Sequence, residues 1–310
     1  MRFGAHLPLI DFDGGGWRPG ALASYTDAAR RLGYRFVGAN DHLVFRKPWL
    51  DGVVALSGVV EHSGDMQLAT TVALPVVRGP AALAKAAAAL DVLSGGRLVL
   101  GVGPGSSERD YEAAGLDFRE RWPRFEESVG VLRAHLTAGA PGVAGRFYAT
   151  ESRLEPRPAR AGGPPIWLGS WGSAAGLRRV ARLGDGWLAS AYNTTPVQLR
   201  AARAALGQEL AAAGRSPEGF PCTLATMWTY VTEDPRARAR QLSALADLLK
   251  RPPDVLGEQV LVGPPEDCAA RLSAYERAGV DNVFVWPLAD PETQLERVMR
   301  DVAPLVQGLP

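Results

Sequence analysis

Asp41 and His42 form an acid–imidazole pair directly after a short apolar segment, residues 36–39. A carboxylate beside an imidazole can fix its tautomer, so this pair is a candidate for proton exchange near neutral pH. The alternative is structural, with Asp41 capping the following loop and His42 filling space. His6 lies near the end of the first apolar segment in a similar way but has no neighbouring acid. We predict catalytic roles for Asp41, His42 and His6.

Two segments rich in glycine and hydroxyl groups are candidates for holding a ligand. In the first, Gly103-Pro104-Gly105-Ser106, the missing side chains let a ligand approach the backbone closely. The second, Gly169-Ser170-Trp171-Gly172-Ser173, precedes a helical segment. Free N–H groups and the helix dipole stabilise a phosphate at such a position, although an ordinary serine N-cap is the alternative. We predict ligand contacts for both segments and an anion site at the second.

The elements that position these residues alternate along the whole chain. Apolar runs predict eight buried strands, at residues 3–7, 36–39, 67–74, 98–102, 166–169, 187–189, 223–231 and 283–286. Helical periodicity predicts helices at residues 21–32, 81–93, 119–138, 174–183, 196–213 and 265–278. This alternation predicts the α/β class and a single (β/α)8 TIM barrel spanning residues 1–310 as one domain.

Two stretches depart from the alternation, and the strand ends indicate where the site lies. Residues 139–165 read as a hairpin or meandering insertion after strand four, and residues 250–263 as an irregular loop after strand seven.

In a TIM barrel the active site forms at the carboxyl ends of the strands. The candidate residues named above follow strand ends, so we expect them to meet on one rim.

Composition narrows the class of protein. The formal net charge of +1 over 310 residues, with 22% charged residues, gives no electrostatic reason to expect nucleic acid or a membrane surface as a partner. No apolar run approaches the roughly 20 residues of a membrane span. Two distant cysteines and no leader-like N-terminus fit a soluble cytoplasmic protein. No metal-ligand spacing is present, so we predict no metal site.

Several segments together resemble the luciferase-like monooxygenase superfamily. The resemblance lies in their order and spacing, and the segments are spread over nearly the whole chain. They are residues 40–42 (Asn-Asp-His), 69–75, 93–103 (beginning Leu-Ser-Gly-Gly-Arg), 165–170, 181–187, 262–267 and 278–281. The resemblance implies a TIM barrel, usually dimeric, that binds FMN or the deazaflavin coenzyme F420 at the carboxyl rim. Small organic molecules are then the expected substrates.

The resemblance also assigns positions around the cofactor. It implies that Asp41 and His42 lie beside the deazaflavin ring and that a non-prolyl cis peptide, at Thr71–Val72, lies against the ring face. The loop Gly103-Pro104-Gly105-Ser106 is then expected along the ribityl chain. The turn Trp171-Gly172-Ser173, with Gly169 and Ser170 before it, is expected at the phosphate.

The Asp-His form favours F420 over FMN, because many FMN monooxygenases of the superfamily look more like Glu-His-His there. The resemblance therefore implies hydride transfer between F420 and a small organic substrate, with His42, oriented by Asp41, exchanging the proton. Alternatives are an FMN monooxygenase supplied by a flavin reductase, a flavin carrier and a cofactor-free lyase or isomerase. Where relatives often carry Glu followed by an aromatic residue, this chain has Asp110-Tyr111, and Glu108 is an alternative acid there.

Overall fold

Parallel strands alternate with helices along the chain, and the computed structural model describes residues 1–150 and 154–307. The strands are β1 Arg2–His6, β2 Phe36–Ala39, β3 Gln67–Thr70, β4 Leu98–Val102, β5 Ile166–Gly169, β6 Gly186–Ser190, β7 Cys222–Val231, β8 Leu261–Gly263 and β9 Asn282–Pro287. The helices are α1 Ala21–Arg31, α2 Gly52–Ser57, α3 Pro75–Arg78, α4 Pro80–Leu93, α5 Glu108–Ala113, α6 Arg121–Leu136, α7 Ala174–Leu183, α8 Pro196–Ala212, α9 Pro235–Leu249, α10 Pro253–Gly257, α11 Pro265–Arg277, α12 Pro291–Arg297 and α13 Ala303–Gln307.

Eight of the strands close into a parallel barrel. Neighbouring strands pair in chain order from β1 to β7, and β9 pairs with both β7 and β1 to complete the ring. The helices lie between successive strands, as parallel pairing requires. The predicted (β/α)8 TIM barrel is therefore confirmed.

The prediction for residues 250–263 was wrong, because the segment is not an irregular loop. It contains α10 and the three-residue strand β8. Strand β7 is ten residues long, and its last part pairs with β8 while its earlier part pairs with β6. A three-residue run is too short for apolar periodicity to reveal. In residues 139–165, an antiparallel bridge between Ala144 and Ala149 fits the predicted hairpin. Residues 151–153 of this stretch lie outside the described residues.

Aromatic side chains fill the barrel interior, and glycine residues on neighbouring strands leave the space that these side chains occupy. A cluster contributed by seven strands contains Phe36, Ala69, Val99, Trp167, Leu188, Ala225 and Phe284. A Cβ at Gly4 or Gly38 would lie 2.7 Å from the ring of Phe284. The interior is thus a packed plug, as in other TIM barrels, and a ligand site has to lie above it.

The larger core lies between the barrel and its helices, where Ala-rich α4 and the buried faces of α6 and α8 pack. None of the helices described is long and apolar enough to cross a membrane. Within the same residues, no group of three His, Cys, Asp or Glu side chains is arranged to hold a metal ion.

Candidate functional site

A cavity of about 400 Å³ lies at the carboxyl ends of β2 to β7. Its floor includes Leu188 and Ala225 of the interior plug. Twelve of the predicted site residues line it, namely Asp41, His42, Thr71, Val72, Gly103, Pro104, Gly105, Ser106, Gly169, Ser170, Trp171 and Ser173. The carboxyl ends of the strands therefore bring together segments that are up to 132 residues apart in sequence, from Asp41 to Ser173.

His42 is held by a carboxylate, but that carboxylate belongs to Asp110. The Nδ1 atom of His42 lies 2.8 Å from Oδ2 of Asp110, whose side chain is fully buried. The backbone N–H groups of Leu43 and Val44 donate to Oδ1 of the same carboxylate, at 3.0 and 2.8 Å. A carboxylate offers Nδ1 of His42 only an acceptor, so Nδ1 carries the hydrogen. This leaves Nε2 as the ring nitrogen able to exchange a proton.

The prediction that Asp41 orients His42 was wrong. Asp41 is buried and accepts hydrogen bonds from Arg78, with Nη2 at 2.7 Å from Oδ1, and from the backbone N–H of Leu74 at 3.3 Å. Arg78 also pairs with Asp51, the N-cap of α2. Adjacent residues in extended backbone point in opposite directions, so Asp41 faces α3 while His42 faces the cavity rim. Asp41 thus ties the β2 loop to α3.

His6 does not line the cavity. Its ring is fully buried and stacks on Trp286 with 3.7 Å between ring centroids, and Nδ1 lies 2.8 Å from the carbonyl oxygen of Leu7. Burial lowers the pKa of His6 from 6.5 to about 3. His6 is therefore a neutral ring outside the described cavity lining, its Nε2 atom has no hydrogen-bond partner, and a catalytic role for it stays a prediction.

One wall of the cavity is the bulge that follows β3, which ends at Thr70 instead of extending to residue 74 as predicted. The peptide bond Thr71–Val72 is cis, so the implied position of the cis bond is confirmed. The ladder resumes at Ala73, which bridges Val102. Gly103 and Gly169 flank the Val72 side chain, and a Cβ at either would lie 2.9 or 3.1 Å from its methyl groups. These glycines therefore leave the space that Val72 occupies.

In the turn after β5, Ser173 is the N-cap of α7 and Ser170 holds the turn that precedes it. The Ser173 hydroxyl accepts from the N–H of Gly176, and the Ser170 hydroxyl accepts from the N–H of Gly172, each at 3.2 Å. The N-cap interpretation is correct for Ser173. The cap satisfies one of the orphan N–H groups at the start of α7, that of Gly176, so it does not by itself conflict with an anion site there. Trp171 is 59% exposed at the mouth, whereas Gly172 lies behind the lining.

Sequence reasoning missed several lining residues. Phe118, Arg121 and Trp122, around the start of α6, lie beside the rim, with the Arg121 guanidinium 4.1 Å from the centre of the Phe118 ring. Ser190, Tyr192 and Thr226 form the wall from β6 and β7. No motif marks them, although a polar Thr226 inside an apolar strand was a usable signal. For Asp110, the signal was the Asp110-Tyr111 pair in place of the Glu and aromatic of relatives.

The lining suits a planar ring with polar edges. The Oδ1 atom of Asn40 and the Oγ1 atom of Thr71 are buried and have no hydrogen-bond partner, and both residues line the cavity. Buried polar groups are normally paired. An unpaired acceptor and hydroxyl beside the apolar Val72 side chain therefore fit the carbonyl and N–H groups of a flavin-type ring.

Comparison with known proteins agrees with this geometry. The family model of the luciferase-like monooxygenases matches residues 11–251. The F420-dependent hydroxymycolic acid dehydrogenase of Mycobacterium tuberculosis is 34% identical over 65% of this chain and 56% of that protein. The F420-dependent glucose-6-phosphate dehydrogenase of Amycolatopsis mediterranei is 24% identical over 94% of this chain and 96% of its own.

Solved structures share the fold. An F420-dependent secondary alcohol dehydrogenase superposes with a TM-score of 0.86 at 16% identity, covering 98% of each chain. The monooxygenase RslO1 of Streptomyces bottropensis superposes with a TM-score of 0.82 at 21% identity, covering 98% of this chain and 99% of that one. Similarity at these identities establishes the barrel architecture, and function has to be argued from the site.

Proposed function

Because the chain belongs to the luciferase-like monooxygenase family, we propose that it is an F420-dependent oxidoreductase that transfers a hydride between the deazaflavin and a small organic substrate. The observation that carries the proposal is the pairing of His42 with Asp110 on the rim of a cavity suited to a planar ring. The F420-dependent relatives named above support the choice of cofactor.

The residues that would hold the cofactor lie on β2 to β5. Asn40 and Thr71 offer unpaired polar atoms to the ring edge, and Val72 offers an apolar surface to its face. Gly103, Pro104, Gly105 and Ser106 line the next part of the cavity. The anionic end fits Gly169, Ser170, Trp171 and Ser173, where the N-terminus of α7 and the guanidinium of Arg121 supply positive charge.

When bound, the deazaflavin supplies a carbon centre that accepts or releases a hydride. The protein places the substrate and moves the accompanying proton. Nε2 of His42 takes up or delivers that proton, since Nδ1 is committed to Asp110. Asp110 is held in turn by the backbone of Leu43 and Val44, so the imidazole keeps one tautomer and one orientation. Phe45 and Trp49 pack at 5.0 and 4.8 Å from the His42 ring and limit water there.

The second candidate is an FMN-dependent monooxygenase that receives reduced flavin from a reductase. The structural similarity to the monooxygenase RslO1 favours keeping it. The His42–Asp110 pair and the cavity are compatible with either ring, so the cofactor has to be identified by binding.

Fluorescence titration of the purified protein with F420 and with FMN tests the proposal directly. We expect F420 to bind at least tenfold more tightly than FMN. Tighter binding of FMN, with oxygen consumption when reduced FMN is added, would replace the proposal by the second candidate. Binding of neither cofactor would refute both.

We further propose a cytoplasmic homodimer with small-molecule substrates and without a nucleic acid or membrane partner. The dimer and the location rest on the family resemblance. The near-neutral net charge of +1 supports the absence of a nucleic acid partner. Light scattering coupled to size-exclusion chromatography measures the mass, and we expect twice the 33.0 kDa of the chain.

A further inference from the structure

Two hydroxyl groups on the β6–β7 wall form a pair that the proposed cofactor contacts do not use. Ser190 is the last residue of β6, and Thr226 lies in the middle of β7. Both line the cavity, and their hydroxyl oxygens are 3.0 Å apart. The cofactor positions argued above all come from β2 to β5 and the helices that follow them. The Ser190–Thr226 pair therefore belongs to the part of the cavity left for a substrate.

Asn193, which is not among the described lining residues, donates a hydrogen bond to this pair. The Nδ2 group of Asn193 donates to the Ser190 hydroxyl at 2.9 Å, and Arg251 donates to the Oδ1 atom of Asn193. A guanidinium has only donors, so it fixes which way the Asn193 amide faces. Arg251 is itself held by the carbonyl oxygen of Tyr192 at 3.0 Å and lies over the Tyr192 ring.

The hydroxyl hydrogens of Ser190 and Thr226 outnumber the hydrogen bond that the two residues share. The two hydroxyls carry two hydrogens and share one hydrogen bond, while the Asn193 amide occupies a lone pair on Ser190. Whichever hydroxyl donates within the pair, one O–H remains to donate to a ligand. The order of donors, from Arg251 through Asn193 to the pair, also polarises that O–H towards an acceptor.

The backbone supports a functional role for Thr226. Its φ is +57°, and this conformation is a genuine outlier for a β-branched residue. The β7–β9 register shifts between Leu224 and Met227, so the bulge is what places Thr226 in the lining. Strained backbone of this kind persists where the surrounding structure enforces it, and such residues cluster at active sites.

We propose that the Ser190–Thr226 pair donates a hydrogen bond to the oxygen of a neutral ketone, or of the corresponding secondary alcohol, and thereby selects this substrate class. The inference rests on the proposed function. In the reducing direction, reduced F420 would supply the hydride that forms the new C–H bond and would itself be left oxidised. The C=O π pair would move to oxygen, which would take a proton from His42, and oxidation of the alcohol would be the reverse. The donor stabilises the charge that develops on oxygen.

The charge of the lining argues for a neutral substrate. Arg121 is the one arginine or lysine among the described residues that line the cavity, and it lies at the edge of α6 beside the proposed anion site. Arg251, which is not among the described lining residues, is committed to Asn193 and Tyr192. An anionic substrate group near β6 and β7 would therefore lack a cation to pair with it.

The sharpest test is Asn193→Asp, which keeps the shape but reverses the hydrogen bonds. A carboxylate accepts from Ser190, Ser190 then accepts from Thr226, and no O–H remains for a ligand. The probes are acetophenone and ethylbenzene, in which a carbonyl group and a CH2 group occupy the same position. Their dissociation constants are measured on F420-loaded protein by fluorescence quenching.

We expect the wild-type protein to bind acetophenone more tightly than ethylbenzene. Asn193→Asp should weaken acetophenone binding by roughly tenfold, as for one lost hydrogen bond, and should leave ethylbenzene binding unchanged. The double variant Ser190→Ala/Thr226→Val should match it, whereas Thr226→Ser should behave as wild type. Equal loss for both probes, no preference in wild-type protein, or a tenfold loss of F420 affinity in Asn193→Asp would overturn the inference. F420 binding without a ketone preference defeats this inference alone, while absence of F420 binding defeats the proposed function.

Discussion

Replacing Asp110 by Asn tests which carboxylate controls His42. Both backbone donors, Leu43 and Val44, go to Oδ1 of Asp110, whereas His42 goes to Oδ2. An asparagine carbonyl at the Oδ1 position keeps the two backbone hydrogen bonds, and its NH2 group then faces Nδ1 of His42. An NH2 group donates, so Nδ1 has to become the acceptor and the hydrogen moves to Nε2.

The size of the effect follows from the bond that is replaced. A hydrogen bond to a charged group contributes about 1.5–3 kcal/mol, which favours the Nδ1–H tautomer roughly 10- to 150-fold in the wild-type protein. Asp110→Asn removes this preference and reverses it. Because general acid–base catalysis contributes about 10²–10⁴-fold, we expect turnover to fall at least a hundredfold, with the F420 dissociation constant changed less than about threefold.

Nitrogen-15 NMR of the His42 ring reads the tautomer without a substrate, and single-turnover absorbance of the deazaflavin reads the rate. The matched control is Asp41→Asn, which touches Arg78 and Leu74 but not His42. Breaking this buried pair should cost about 3 kcal/mol of unfolding free energy and leave the tautomer unchanged. A tautomer change in Asp41→Asn, or none in Asp110→Asn, would refute the assignment.

Further predictions concern the cavity wall, the buried histidine and the anion site. In Gly103→Ala the new methyl, 2.9 Å from Val72, should push that side chain into the cavity and weaken F420 binding about tenfold in titration; unchanged affinity would mean that Val72 does not contact the ring. With its pKa lowered to about 3, His6 binds fewer protons in the folded than in the unfolded protein below pH 6.5, so stability falls as the pH drops. Urea denaturation at pH 7 and at pH 5 measures how much unfolding free energy is lost on acidification. We expect this loss to be about 2 kcal/mol smaller in His6→Gln than in the wild-type protein, and equal losses in the two proteins would contradict the prediction. Arg121→Met should weaken F420 binding and flatten its salt dependence, whereas an unaltered salt dependence would remove Arg121 from the anion site.

Local sequence patterns were enough to predict much of the fold and about half of the residues that line the site. Apolar runs and helical periodicity depend on neighbouring residues alone, which is why the barrel and the bounds of a helix such as α7, Ala174–Leu183, could be predicted. The rule that parallel strands end on one rim then placed the glycine loop and His42 in a common cavity. Family resemblance supplied the position of the cis bond before Val72.

Tertiary structure decided the pairings, because hydrogen bonds depend on distances that the chain closes only when it folds. Asp41 is adjacent to His42 in sequence yet binds Arg78, while Asp110, 68 residues further on, holds the imidazole. Extended backbone points neighbouring side chains apart, and the helix after β4 brings a distant acid into reach. The donor chain from Arg251 to Thr226 likewise joins three elements and needs the β7 bulge. Sequence thus determined which residue types reach the rim, and the folded barrel determined which of them act on one another.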